Sequence, residues 1–120
     1  MTKRELINLC LELDGTYEDY PFDISPDAPD AWTVMRHKDN RKGFAHIYGS
    51  GGQPVINLKL PPYEGDMLRR AFEDINPAYH MNKEHWNGVD PNGDVPVEML
   101  MGLIEKSYEL TKQKNKKGTK

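Results

Sequence analysis

The chain has 120 residues, 37% of them apolar and 29% charged, which suits one folded domain with its own core and excludes a disordered polymer. Its single cysteine, Cys10, excludes an internal disulfide, and no apolar run approaches the roughly 20 residues that a membrane-spanning helix needs. The net charge of −3 divides unevenly: residues 1–111 carry 11 basic against 19 acidic groups, a balance of −8, while five lysines fall within residues 112–120.

In chain order, the start Met1-Thr2-Lys3-Arg4-Glu5 leads into no signal-like apolar core, so a cytoplasmic location is expected by elimination. Thr2 and Glu5 have the spacing of a capping box. Leu6, Leu9, Cys10 and Leu13 then recur at helical spacing and Gly15 supplies a stop, which predicts an amphipathic helix over residues 2–14. Cys10 on that stripe reads as a small buried hydrophobe. Residues 16–31 combine Tyr17, Tyr20 and Phe22 with Pro21, Pro26 and Pro29, the composition of a loop or edge segment. From Glu12 to Asp30 there are seven acidic residues and no basic one, so this segment presents an anionic surface.

Three strand-like segments follow. They are Trp32 to His37, Gly43 to Tyr48 (Phe44, His46 and Tyr48 alternating against Ala45 and Ile47) and Val55 to Leu60. In the last, Ile56, Leu58 and Leu60 oppose Asn57 and Lys59. Short connections make these an antiparallel meander. Pro62 opens a helix with Met67, Leu68, Ala71, Phe72 and Ile75 on its stripe and Asn76-Pro77 as its stop. A short strand is expected from Trp86 to Val89, with Trp86 plugging the core. Pro96 opens a last helix with Val97, Leu100, Met101, Ile104 and Tyr108 on one face. The predicted fold is α+β, an antiparallel sheet flanked on one face by helices. One domain spans residues 1–111, and residues 112–120 form a basic, disordered tail.

No catalytic pattern stands out, and neither a metal site nor a cofactor is expected. His80 and His85 lie five apart, not at the four-residue spacing that places two imidazoles on one helix face. Gly49-Ser50-Gly51-Gly52 lacks the Lys-Ser/Thr of a phosphate-binding loop. Arg36, Lys38, Arg41 and Lys42 crowd the first hairpin tip, and Lys59 and Lys83 add cations beyond it. Such a hairpin suits a phosphate backbone; the plainer role of these charges is to solubilise turns.

The stretch Tyr79-His80-Met81-Asn82-Lys83-Glu84-His85-Trp86 resembles the signature of the MmcQ/YjbR family of small bacterial proteins. Tyr20-Pro21-Phe22, Leu58-Lys59, Leu68-Arg69 and Ser107-Tyr108 agree with it in order. The resemblance implies a CyaY/frataxin-like α-β sandwich and a DNA-binding role, with His80, Asn82, Lys83, His85 and Trp86 as the family motif. Two functions are therefore expected in competition. One is DNA binding through Arg36, Lys38, Arg41, Lys42, Lys59 and Lys83, without catalysis. The other is a protein-interaction or small-ligand module that uses the acidic and aromatic residues 12–32 to hold a basic protein partner.

Overall fold

The computed structural model describes residues 1–22, 31–49, 53–78 and 81–112. Helix α1 (Lys3–Leu11) starts on the expected capping box: the Glu5 amide donates to the Thr2 hydroxyl at 3.1 Å, and the Thr2 amide donates to the Glu5 carboxylate at 2.7 Å. Leu6, Ile7 and Cys10 are its buried face. Burial pushes the Cys10 thiol up to about 12, so it packs as a hydrophobe. The chain turns through Gly15 at φ +67°, a left-handed conformation natural to glycine.

Strands β1 (Thr16–Asp19), β2 (Thr33–His37), β3 (Gly43–Tyr48) and β4 (Val55–Lys59) pair antiparallel in sequence order. Helix α2 (Pro62–Ala71) then leads to β5 (Ile75–Pro77) and β6 (Trp86–Val89), and helix α3 (Val97–Thr111) follows. The sheet order is β1-β2-β3-β4-β6-β5, with every neighbouring pair antiparallel. Leu6, Ile7 and Cys10 of α1 and Leu100, Leu103, Ile104 and Tyr108 of α3 close on Met35, Phe44, Ile47, Ile56 and Leu58. Each large apolar side chain so buried contributes about 1.5–3 kcal/mol. The fold is thus the expected α+β layering of helices on one face of an antiparallel sheet. Among the described residues no helix is long and apolar enough to cross a membrane.

Several expectations are corrected. Ile75, assigned to the second helix, begins β5 and is buried against Val89. The helix stops at Ala71, and Met67 within it is exposed. Pro77 is tolerated because β5 is the last strand in the sheet order, with no outer neighbour among the described residues. Residues 16–19, within the expected loop or edge segment, form the opposite edge.

Phe44 does not alternate with His46 and Tyr48. A bulge, with Met35 paired to Ala45 but Arg36 to Gly43, turns Phe44 to the helical side with Ala45 and Ile47. Its ring meets Tyr108 edge-on. The bulge breaks the β3–β4 ladder beyond Ala45 and Leu58, and Ser107 of α3 repairs it. The Ser107 hydroxyl donates to the Phe44 carbonyl at 2.6 Å and accepts from the Lys59 amide at 2.8 Å, fully buried. On α3 the buried seam is Leu100, Leu103, Ile104, Ser107, Tyr108 and Thr111, so Val97 and Met101, expected in the core, stay exposed. The two hydroxyl residues rotate the seam away from the purely apolar stripe. Trp86 also lies outside the core, half-buried on the face away from α1 and α3.

Candidate nucleic-acid interface

The register of the sheet brings most of the expected cations to one end. β2 finishes, β3 begins, β4 finishes and β6 begins there, because Arg36 pairs with Gly43, Ala45 with Leu58, and Lys59 with Trp86. Arg36, Lys59 and Trp86 occupy positions that alternate with the core residues Met35 and Leu58, so they share the face away from the helices. Two strand spacings separate Arg36 from Lys59, about 10 Å of backbone.

The hairpin tip that carries Lys38, Arg41 and Lys42 is tightly specified. The His37 amide donates to the Lys42 carbonyl at 3.0 Å, and the Lys42 amide donates to the Asn40 side chain at 2.9 Å. Arg41 takes φ +62° there, a region that non-glycine residues rarely enter. Its side chain is exposed, while its backbone donates to the His37 carbonyl at 2.8 Å. The Asn40 side-chain Nδ2 donates to the Thr111 carbonyl at 3.0 Å, which docks the end of α3, and with it Lys112, beside the tip. The expected tail continues at residues 113–120, outside the described residues.

Arg36 differs from its neighbours. Its Nε donates to Asp19 at 2.7 Å and its Nη1 to the Arg41 carbonyl at 2.9 Å. It braces the edge strand and the tip as much as it offers charge. Lys38, Arg41, Lys42, Lys59 and Lys83 make no ion pair among the described residues.

Within the motif, His80 and Tyr79 lie outside the described residues. Asn82 is the turn-former: its side-chain oxygen accepts from the amides of Glu84 at 2.9 Å and His85 at 3.3 Å. Its carbonyl accepts from the Trp86 amide at 2.9 Å. The turn holds exposed Lys83 just ahead of Trp86. His85 is partly exposed, near Glu84, and its carbonyl accepts from the Leu60 amide at 2.9 Å.

Beside the cations the same face brings together Trp32, Tyr48, His46 and Trp86, a grouping that the sequence did not show. Trp32 stacks on Tyr48 with centroids 4.4 Å apart, and its indole donates to His46 Nδ1 at 3.1 Å. His46 in turn meets Trp86 edge-on at 5.2 Å. Burial, with the nearby Arg36 charge second, pushes His46 down to about 4, so it is neutral at pH 7. Asn57 lies in the next row, fully buried, with its Oδ1 accepting no hydrogen bond among the described residues. That oxygen would sit 3.0 Å from a Cβ on Gly88, so only glycine lets the Asn57 side chain lie across β6. His37, by contrast, faces α3, where its Nε2 and the Thr111 hydroxyl share a hydrogen bond of 2.8 Å.

The acidic segment is less available than its composition suggests. Glu18 accepts both Arg4 Nη1 and Nη2 at 3.0 Å, which holds its carboxyl below the usual range, and it also accepts the Tyr20 hydroxyl. Asp19 is paired with Arg36. Asp23, Asp27 and Asp30 lie outside the described residues, and Phe22 is exposed.

An antiparallel sheet with one helical layer, and with cations and aromatics gathered on its other face, defines the class of protein. The YjbR family model matches residues 11–110, and the chain belongs to the YjbR family. It is 34% identical over 122 residues to the uncharacterized protein YyaQ of Bacillus subtilis, covering 93% of this chain and 99% of that one. It is 28% identical to the uncharacterized protein YjbR of Escherichia coli K12, covering 91% and 86%. Among solved structures, a Pseudomonas syringae protein superposes with a TM-score of 0.78 at 34% identity, covering 93% of this chain and 100% of that one. A Deinococcus radiodurans protein superposes with a TM-score of 0.80 at 33% identity, covering 94% and 80%.

Proposed function

We propose that the protein binds nucleic acid across the cationic end of the sheet, without catalysing a reaction on it. The observation that carries this reading is that Lys59 and Trp86 are direct cross-strand partners, at the sheet end that also bears Lys38, Arg41 and Lys42. Lys38, Arg41, Lys42, Lys59 and Lys83 contact phosphates, and Arg36 positions the tip through Asp19 and the Arg41 carbonyl. Trp86 offers a base a surface to stack on, and a charged groove beside an aromatic is the recurrent device for holding single strands. DNA is the ligand that the family resemblance implies. The acidic body supplies no general attraction, so binding depends on this local cluster.

The test is a fluorescence-anisotropy titration of a labelled oligonucleotide at several salt concentrations. With about five phosphates neutralised, log K falls against log salt with a slope near −3.5 for a single strand and near −4.5 for a duplex. Charge reversal at Lys59 and Lys83 together abolishes the response, and deletion of residues 112–120 only weakens it. A flat salt response, or binding that disappears with the tail alone, overturns the proposal.

A further inference from the structure

The helical layer carries a second surface. Three adjoining cavities, two of them about 520 and 410 Å³, run between α1 and α3. The first and second share Leu9 and Glu12; the second and third share Leu13 and Glu105. Together they form one open groove from Val97 to Glu109 of α3, about 18 Å at the helical rise and long enough for roughly three turns of a second helix.

The groove floor is apolar. Val97 is 47% and Met101 39% exposed, and Leu9 and Leu13 are half-buried beside them. The rim is acidic, with Glu5, Glu12, Glu105 and Glu109 along its length. Of the cations at the groove, Lys106 reaches to Glu64 at 3.6 Å, the Met1 ammonium donates to the Asn92 side chain, and Lys112 lies over the Tyr108 ring at the far end. Gly102 adds room: a Cβ there meets nothing within 4 Å, although glycine inside a helix costs about 1 kcal/mol relative to alanine.

We infer that this groove is a docking site for a basic amphipathic helix of a protein partner. Its apolar face covers Leu9, Leu13, Val97 and Met101, and its lysines or arginines meet the glutamates of the rim. The charge pattern selects this occupant. A second copy of the chain in a two-fold arrangement would set the acidic rim against itself. An anionic lipid surface would be repelled. The groove lies in the helical layer, opposite the sheet face that carries Lys59 and Trp86.

Two fluorescent 18-residue peptides test the inference on the full chain. They share one leucine stripe at helical spacing, and their polar positions are all lysine in one and all glutamate in the other. The lysine peptide binds, its affinity falls with salt, and the glutamate peptide does not bind. Gly102→Trp, at a position where a Cβ meets nothing within 4 Å, places an indole at the Glu109 end of the groove and weakens binding about tenfold or more, with the circular-dichroism spectrum and melting temperature preserved. Glu105→Lys with Glu109→Lys weakens it comparably while oligonucleotide binding is retained. Equal binding of both peptides, indifference to Gly102→Trp, a concentration-dependent dimer that buries the groove, or a tenfold gain on deleting residues 112–120 would each overturn it. The last result would assign the groove to the chain's own lysine segment.

Discussion

Arg41→Gly separates the proposed binding surface from the fold. Arg41 holds φ +62° at the hairpin tip, where an L-residue gives up roughly 1–2 kcal/mol to the crowding of its Cβ. Its hydrogen bonds there are made by backbone atoms, the amide to His37 and the carbonyl from Arg36, so glycine preserves both. Glycine adds unfolded-chain entropy of about 0.5–1 kcal/mol, leaving a net stabilisation of about 0.5–1 kcal/mol. Urea denaturation should therefore show a higher midpoint with an unchanged m-value. In the same variant one phosphate contact is lost, and the salt slope for oligonucleotide binding becomes shallower by about 0.7 for a single strand or 0.9 for a duplex. A more stable protein that binds less well is the expected pair of results. Destabilisation with binding intact would refute the reasoning, because Arg41 would then serve the fold and not the ligand.

The Ser107→Ala change leaves the Phe44 carbonyl and the Lys59 amide without their shared partner, at about 1–3 kcal/mol for each buried group. Thermal unfolding should occur roughly 8–24 °C lower, and a loss under 2 °C would mean that the two strands re-pair on their own. Below pH 6.5 the unfolded chain protonates at the His46 position while the folded chain resists until about pH 4, so stability declines as the pH falls through that window, by up to about 3 kcal/mol. His46→Gln should flatten that part of the stability profile relative to the parent; parallel profiles would contradict it. Trp86→Ala should weaken binding of a single-stranded oligonucleotide by about 1–3 kcal/mol while duplex affinity changes less, measured by anisotropy.

Local patterns made much of the fold legible. The capping box, the alternation of Ile56, Leu58 and Leu60, and the proline starts of both later helices act over a few residues, and each is found where the sequence placed it. What escaped depends on distant partners. The Phe44 bulge is held by a serine 63 positions away, and β5 is too short and too proline-marked to announce itself as a strand. Ser107 and Thr111 are polar residues on the buried seam of α3, so an apolar pattern alone draws the exposed Val97 and Met101 into the core in their stead. The crowding of Arg36, Lys38, Arg41 and Lys42 at the first hairpin tip was readable in the sequence, but the approach of the Lys83 turn to Lys59 was not. Lys83 and Trp86 come beside Lys59 only because β6 inserts between β4 and β5, an order that no local window contains.

The most direct measurement is a chemical-shift map of the isotopically labelled full-length protein titrated with a short single-stranded DNA. The backbone amides of Lys42, Lys59 and Lys83 and the indole of Trp86 should move together and saturate at one affinity, with the α1–α3 groove undisturbed. If those signals stay still while only residues beyond Lys112 respond, the cationic end of the sheet is not a nucleic-acid site.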